Sequence, residues 1–346
     1  MRRMALSVAS SRSESWKCQI RLQNATKETL YDCFADKSIN PQEVPLHRRA
    51  WVVQERFMSR RMLHFHKDQV FWDCHQKPAC ETFPTGYPRN VSSCFKLQKG
   101  SILHMWGSIV SEYSGELTRH SDKFVALAGL AQMMQAETND DYVAGLWRRN
   151  LETQLCWFVL NGRRRVTPYC APTWSWASIE ARVNISSHFS KNRTAESIHI
   201  RVVDVQVIYA TSNPFGAIVS ASLRLRCDFL CPVIIDGTEI ILGQAPYRNP
   251  IIWKDCSEIY DDGSEMLSTN ICLLPAMSST GLLLRPTDRK RGQYRRAGVY
   301  WIIPEKDGSA EFVSAFQSTA CQADDAKFCE PYVENGVEMR RIIELV

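Results

Sequence analysis

The spacing of apolar residues changes along this chain, and that change restricts the possible folds more than any other feature of the sequence. Between about residues 100 and 160, apolar side chains recur every three or four positions, which is the period of an amphipathic helix. From residue 171 onward they recur every second position, which is the period of a strand with one buried face. Helices followed by strands predict a mixed α+β fold.

Individual elements follow from the same spacing. The central part has three predicted helices, at 102–117, from 121–122 onward and at 151–158. The stretch "APTWSWASI" at 171–179 is predicted to be a strand, and further strands are expected at 198–207, 218–227, 271–274, 282–284 and 299–303. Before the helices, the pattern predicts a strand at 16–23, a helix with one apolar stripe from Leu46 to Phe57, and a β-hairpin at 61–74.

Composition excludes several classes of protein. The chain has 346 residues, of which 45% are hydrophobic, so it is long enough for about two domains with buried cores. It has no run of eighteen apolar residues, which predicts no transmembrane segment. A net charge of +5, from 42 basic and 37 acidic residues, does not require a nucleic-acid partner. The first twelve residues are rich in Arg and Ser, which fits either a transit peptide or a frayed end.

Thirteen cysteines are scattered along the chain, and none forms a C-x-x-C pair. This odd number without a zinc or redox pattern indicates reduced thiols and predicts a cytoplasmic protein.

Five stretches, taken in order, resemble the fungal heterokaryon-incompatibility (HET) domain family. They are "LHRRAWVVQERFMSRRMLHFHKDQVFWDC" at 46–74, "SDKFVALAGLA" at 121–131, "YVAGLWRRNLETQLCW" at 142–157, "APTWSWASI" at 171–179 and "GLLLRPTDRKRGQYRRAGVY" at 281–300. The first resembles the family's R-x-W-x-x-Q-E block. Two earlier blocks of the family, L-S-Y-x-W-G and W-I-D-x-x-C-I-x-Q, do not occur before Arg49, so we expect a domain that lacks its N-terminal part.

The resemblance implies three regions and a function. Residues 1–95 would be a partial HET domain with a Toll/interleukin-receptor-like α/β fold, 96–180 a helical subdomain that ends in the WSWAS strand, and 181–346 a β-rich C-terminal module. The implied role is fungal non-self recognition and regulated cell death. We expect it to act mainly by association with proteins of the incompatibility pathway or with itself, and without a cofactor. The alternative is a cell-death effector that cleaves NAD, an activity carried over at the level of the fold alone.

The block around Trp51 carries the candidate catalytic residue. On the predicted helix, Arg48, Trp51 and Glu55 lie opposite the apolar stripe. Glu55 could act as an acid or base whose pKa is tuned by these neighbours. The favoured interpretation is structural, with the helix braced between two layers and its polar edge buried. Arg48 and Glu55 would then hold neighbouring segments by ion pairs, and Arg49 and Gln54 would serve as further interlayer hydrogen bonders. Arg56 is the remaining motif residue of the block.

Three other groups have a functional and a structural interpretation. Histidines 64, 66 and 75 with cysteines 74 and 80 offer zinc donors, but their spacing matches no zinc motif, so no metal site is predicted. Trp174 and Trp176 would share one strand face, and core packing is favoured over a stacking platform for a ligand. Six basic residues within 285–296 could bind phosphates, but a solvated hairpin tip is favoured there and at 163–165. No P-loop, G-x-G-x-x-G or nucleophile elbow is present.

Overall fold

The computed structural model describes residues 4–9, 16–24, 27–35, 50–59, 61–65, 70–74, 77–86, 102–114, 122–160, 164–185, 198–236, 239–242, 245–247, 250–256, 271–287, 289–303, 316, 328–334 and 337–346. The chain forms two compact units. The first consists of Met1–Arg48 and Met58–Leu97, and the second of Arg49–Phe57 and Gln98–Val346. The fold is a mixture of α and β structure in which sheet predominates. The family-specific form of this fold and the boundaries near 95 and 180 remain predictions.

The first unit contains two antiparallel sheets of three strands. One consists of β1 (Met4–Ala9), β2 (Trp16–Asn24) and β3 (Lys27–Ala35), so the strand predicted at 16–23 is confirmed. The other consists of β4 (Arg61–Phe65), β5 (Val70–Cys74) and β6 (Ala79–Cys80), which confirms the hairpin. Register aligns His64, Phe71 and Cys80 on the buried face of this second sheet.

Four helices belong to the described part of the chain. They are α1 (Ala50–Met58), α2 (Ile102–Ser114), α3 (Lys123–Thr138) and α4 (Leu151–Gln154). The first three confirm the predicted helices, although residues 46–49 and 115–121 lie outside the described part. The fourth is shorter than predicted, because it is a single turn and Phe158 belongs to a strand. The spacing of Leu151, Leu155 and Phe158 alone does not distinguish a longer helix from a single helical turn that leads into a strand.

Two short antiparallel pairs follow the helices along the chain. β7 (Tyr142–Val143) pairs with β8 (Leu146–Trp147), and β9 (Phe158–Val159) pairs with β10 (Val183–Asn184). The predicted WSWAS strand is wrong, because Trp176–Ser178 forms a 3-10 helix whose first turn is capped by Ser175 Oγ, which accepts from Ala177 N. Ser175 Oγ accepts from Ala177 N and Ser178 Oγ donates to Ser175 O at 2.8 Å, and such local side-chain to backbone hydrogen bonds compete with strand formation.

The C-terminal region forms a sheet of eleven strands. These are β11 (Ile200–Tyr209), β12 (Ile218–Cys227), β13 (Cys231–Asp236), β14 (Glu239–Leu242), β15 (Ala245–Tyr247), β16 (Ile251–Lys254), β17 (Ile271–Pro275), β18 (Thr280–Pro286), β19 (Gln293–Trp301), β20 (Glu330–Glu334) and β21 (Val337–Leu345). The main path runs β11-β12-β21-β19-β18-β17-β13-β14-β15, with β16 on β19 and β20 on β21. All pairs are antiparallel except β19 with β21. The predicted C-terminal strands are confirmed.

One face of this sheet is buried near its centre. Leu223, Leu225, Leu284, Arg296 and Leu345 on that face have no solvent exposure. β12 alternates buried and more exposed residues, as a strand with one solvent-exposed face does, whereas every residue of β17 and of Thr280–Leu284 in β18 is buried, so both faces are covered there. No described helix is long and apolar enough to cross a membrane.

Candidate functional site

The residues of the Trp51 block are only partly described. Arg49 lies outside the described residues, and so do the side chains of Trp51 and Arg56 in α1. Gln54 is half-buried and Glu55 is exposed. The predicted burial of the helix's polar edge is therefore wrong at Glu55. Its role as a catalytic acid or base remains a prediction.

Five fully buried tryptophans form the centre of the helical part: Trp106, Trp147, Trp157, Trp174 and Trp176. The expectation that Trp174 and Trp176 pack in the core is confirmed. Trp106 and Trp147 meet edge to face with their ring centroids 5.6 Å apart, and Trp176 meets Phe124 in the same way at 6.3 Å. Each such aromatic pair contributes about 0.5–1.5 kcal/mol beyond the area that it buries. This tryptophan core therefore stabilises the packing of α2, α3 and the WSWAS turn.

The turn between β7 and β8 connects two of the sequence blocks. Ala144 and Gly145 both have positive φ angles, 47° and 90°, as a tight two-residue hairpin requires. The carbonyl oxygen of Gly145 accepts hydrogen bonds from the indole nitrogens of Trp106 at 2.9 Å and Trp176 at 2.7 Å. Ser175 Oγ donates to the carbonyl oxygen of Ala144 at 2.7 Å. A Cβ atom on Gly145 would lie 2.6 Å from Trp176 Nε1, so this position requires glycine for close approach as well as for its φ angle.

A buried cluster of charges lies beside the tryptophan core. Asp255, directly after β16, receives one hydrogen bond from Arg296 Nη1 and another from Arg165 Nη2, the latter at 3.1 Å. Arg296 is completely buried, and its guanidinium carbon lies 3.4 Å from the ring centroid of Trp157. Burial lowers the pKa of Arg296, and the carboxylate of Asp255 opposes that effect. Two cations thus share one buried carboxylate, an arrangement that is stable only when the remaining donors are also satisfied.

Main-chain oxygens and one serine hydroxyl satisfy those donors. Arg296 Nε donates to Leu155 O at 3.3 Å and Arg296 Nη2 donates to Trp157 O. Arg165 Nη1 donates to Thr173 O at 3.3 Å and to Ser178 Oγ at 2.7 Å. Acid–base catalysis needs a polar group directed at a substrate. Here both arginines are engaged by the protein itself, so the geometry indicates a structural clamp between the sheet and the 155–178 segment.

This cluster corrects two predictions. Arg165 and Arg296 were expected at solvated hairpin tips, but Arg165 is half-buried and Arg296 is fully buried. Arg164, Arg289, Lys290 and Arg291 are exposed, as a solvated tip requires. Sequence reasoning missed Arg296 and Asp255 as partners because they are 41 residues apart. The available signal was the alternation in 293–301, which places Tyr294 and Arg296 on the same strand face.

Lys123 is a second buried cation that the sequence did not single out. It is 1% exposed at the start of α3, and its amine donates to the carbonyl oxygen of Ile179. Burial lowers the pKa of Lys123 to about 8, although nearby Cys170 and Glu180 act in the opposite direction. Burial also raises the pKa of the Cys170 thiol, and this effect outweighs the neighbouring Lys123. The amine therefore anchors α3 to the WSWAS turn and is shielded from substrates in bulk solvent.

The remaining candidates are less complete. His64 is buried, with its Nε2 atom 3.8 Å from Asp73 Oδ2, while His66 and His75 lie outside the described residues. Within the described ranges, no three His, Cys, Asp or Glu side chains are grouped to hold a metal ion.

Tyr294, the aromatic residue of the basic 285–296 stretch, is buried and its hydroxyl donates to Phe328 O at 2.8 Å. It is therefore not available to stack on a base.

No family model, curated protein or solved structure matches this chain. A functional conclusion therefore depends on the sequence blocks and on the geometry that they adopt. Three of these blocks, 121–131, 142–157 and 171–179, meet at the tryptophan core through hydrogen bonds from Lys123, Trp157 and Trp176.

Proposed function

We propose that this chain is a heterokaryon-incompatibility-type protein that acts in fungal non-self recognition and regulated cell death, mainly by protein association in the cytoplasm. The supporting observation is the convergence of three resembling blocks in one buried core. Lys123 of the first block binds Ile179 of the third. Trp157 of the second donates to Trp174 O at 2.8 Å, and Trp176 donates back to Gly145 of the second. This contact between the three blocks supports the proposal that they are parts of one structural unit.

The same geometry favours association over catalysis. The polar side chains in these blocks hydrogen-bond to main-chain oxygens inside the core, and the adjacent Arg165–Asp255–Arg296 cluster is satisfied internally. The proposed partners are other proteins of the incompatibility pathway or a second copy of the chain. A scaffold of this kind would act through its surface, since its buried polar groups are engaged in holding the fold.

The biological test is inducible expression of the full chain in a filamentous fungus that is then paired with tester strains. We expect dye uptake and arrested growth in fused cells of at least one pairing, and normal growth when the chain is not induced. A Gly145→Asp variant, which breaks the turn between two blocks, should abolish the response, whereas Arg182→Gln on the exposed surface should preserve it. Healthy fusions in every pairing, with the protein present at normal levels, would refute the proposal.

The NAD-cleaving alternative is separated by a second measurement. Purified full chain is incubated with NAD, and the remaining NAD is measured for the wild type, Glu55→Gln and the matched control Glu137→Gln, which changes another exposed helical glutamate. We expect NAD to stay constant in all three samples. If NAD falls with the wild type and the control but not with Glu55→Gln, catalysis replaces association as the function.

A further inference from the structure

Strand β4 exposes two large apolar side chains to solvent. Leu63 is 51% exposed and Phe65 is 80% exposed, the highest value for any large apolar side chain among the described residues. Register places Leu63 opposite Trp72 and Phe65 opposite Val70 on β5, and both of these residues are half-buried. The four side chains share one face, because directly opposed residues of an antiparallel pair project from the same side. We call them the β4 apolar patch.

Exposure on this face is highest at β4 and decreases toward β6. Ala79 of β6, which is opposite Trp72, is only 9% exposed. The opposite face of the sheet is buried along the row that His64, Phe71 and Cys80 form. The β4 apolar patch therefore lies along the outer edge of the sheet, where a further strand can reach it.

The main chain of β4 is also open at this edge. In the described ranges, β4 pairs with β5 alone. Val70 N donates to Glu81 Oε2 at 3.1 Å and Val70 O accepts from Glu81 N at 3.2 Å, so the main-chain groups of Val70 point away from β4. Hydrogen-bonded and non-hydrogen-bonded pairs alternate along an antiparallel ladder. The main-chain groups of Arg61, Leu63 and Phe65 therefore point to the open edge.

The sequence of β4 does little to keep other strands away. Proteins commonly protect an edge strand with Lys, with Pro, or with a bulge that twists the edge. β4 has the sequence RMLHF, in which Arg61 at the first position is the only permanently charged residue, and its ladder with β5 is regular. An open edge that carries exposed Leu and Phe side chains is a site of strand association.

We propose that two copies of this chain associate by antiparallel pairing of β4 with β4 around a two-fold axis at Leu63. In this register Leu63 is opposite Leu63 of the second copy, and Arg61 is opposite Phe65. These are the residues whose main-chain groups point to the open edge, so each pair can exchange two hydrogen bonds. A shift by one residue would place Leu63 opposite Met62 or His64, whose main-chain groups point to β5, and would lose these bonds.

The side chains of β4 complement one another in this register. The guanidinium group of Arg61 lies opposite the ring of Phe65 of the second copy, which favours a cation–π contact, while the two arginines stay at opposite ends of the paired strands. The apolar patches of both copies then form one continuous band, and Leu63 and Phe65 are withdrawn from water. This inference deepens the proposed association, on which its biological role rests, by naming a second copy as the partner.

Sedimentation velocity of the purified full chain over a series of concentrations tests this contact. A contact of five residues per chain is small, so we expect a weak dimer that dissociates on dilution. Leu63→Lys places like charges directly opposite each other at the two-fold axis and should raise the dimer dissociation constant at least about tenfold. Val125→Lys changes a similarly exposed apolar residue on α3 and should leave the constant unchanged.

Two further sets of variants test the register. Phe65→Arg opposes two arginines and should weaken the dimer, whereas the double variant Arg61→Glu/Phe65→Arg should restore it, since opposite charges then face each other. Leu63→Cys should form a disulfide between copies on mild oxidation, because the Cα atoms of a hydrogen-bonded pair are about 5.5 Å apart. Val125→Cys should give no more dimer than the wild type on a non-reducing gel.

Circular dichroism first establishes that each variant is folded. The proposal is overturned by a monomer at every concentration, by a dimer that Leu63→Lys leaves intact, or by a double variant that stays as weak as Phe65→Arg. Binding of a monomeric wild type to phosphatidylcholine vesicles, abolished by Leu63→Lys, would also overturn it and assign the patch to a membrane.

The fungal pairings separate this contact from the proposed function. A chain that stays monomeric in solution but still produces cell death in the pairings rejects the contact and leaves the function intact. A dimer that Leu63→Lys disrupts, together with healthy fusions in every pairing, supports the contact and rejects the function.

Discussion

Arg295 and Arg296 are neighbours in the sequence, but they lie in opposite environments. Arg296 points to the buried face of the sheet, where Asp255, Leu155 O and Trp157 O accept its hydrogen bonds and the ring of Trp157 covers its guanidinium group. Arg295 points to the other face, where it is exposed and lies opposite Arg285. The period of the strand alone produces this difference, because successive side chains project to opposite sides.

The comparison shows what a charge requires in each setting. On the buried side, every charged or polar atom needs a partner, since desolvation without one costs several kcal/mol. On the exposed side, water solvates the guanidinium group and a missing partner costs little. Substituting the buried arginine or its partner should therefore change the free energy of unfolding, whereas substituting an exposed arginine should change it little.

The largest effect is expected from removing the shared carboxylate. Asp255→Ala leaves two arginines without their counter-ion, one of them completely buried, and should lower the free energy of unfolding by about 3–5 kcal/mol. Urea denaturation of the full chain measures this loss. The exposed Glu137→Ala serves as the control and should change stability by less than about 0.5 kcal/mol. Similar losses for Asp255→Ala and Glu137→Ala would contradict the expectation that removing the partner of a buried charge costs more than removing an exposed charge.

A smaller effect separates satisfied from unsatisfied polar atoms within the core. Trp176→Phe removes a hydrogen bond to Gly145 O and part of the core volume, and should cost about 2–3 kcal/mol. Trp174 is equally buried, but its indole nitrogen has no hydrogen-bond partner in the described part of the chain. Trp174→Phe should therefore cost less, because it also removes an unsatisfied donor. Equal losses in the same denaturation assay would contradict the importance given to buried hydrogen bonds.

Lys123 offers a test that depends on pH. In the folded chain its pKa is lowered from 10.5 to about 8, so between these values the unfolded chain binds more protons at this position. The contribution of Lys123 to the free energy of unfolding must then rise with pH in that window, and its penalty is fully present below it. Relative to Lys123→Met, the wild type should gain about 1 kcal/mol from about pH 7 to about pH 9. The difference between the two proteins cancels other titrating groups, and a constant or falling difference would exclude the lowered pKa.

The smallest effect is expected from the exposed, directly opposed arginines Arg201 and Arg226. Arg201→Gln/Arg226→Gln removes an opposed pair of like charges, so stability should stay within about 0.5 kcal/mol of the wild type or rise slightly. Thermal unfolding at low salt is the appropriate measurement, because salt screens the repulsion. A loss above about 2 kcal/mol would show that Arg201 and Arg226 contribute to the stability of the fold, as the buried Arg296 does.

Regular elements were predictable where one period persisted over many residues. The strand at 218–227 was predicted with its observed bounds, and α3 begins directly after the expected Asp122. Prediction failed where local hydrogen bonds competed with the period. Ser175 turns the WSWAS stretch into a 3-10 helix, and the predicted fourth helix ends after one turn at Gln154, whose amide nitrogen donates to Trp147 O at 2.8 Å. Both contacts are made by polar side chains close in the sequence, and hydrophobic spacing does not reveal them.

The candidate site divides in the same way. Core positions for Trp174 and Trp176 followed from their size and apolar surroundings. Arg296, Asp255 and Lys123 could not be assigned from sequence, because a charged residue is buried only when distant partners reach it. Arg201 and Arg226 could not be paired from sequence either, since 25 positions separate them and the bulge in β11 between Val202 and Asp204 sets their faces.

The sequence by itself determined where the long helices and strands lie and which side chains alternate along a strand such as β12, because these depend on neighbouring residues alone. Only the tertiary structure decided which arginines are paired in the core and which face solvent together. The physical reason is that the stability of a charge depends on what surrounds it in space. The residues that contact Arg296 come from distant parts of the chain: Asp255 is 41 positions from it and Trp157 is 139 positions from it.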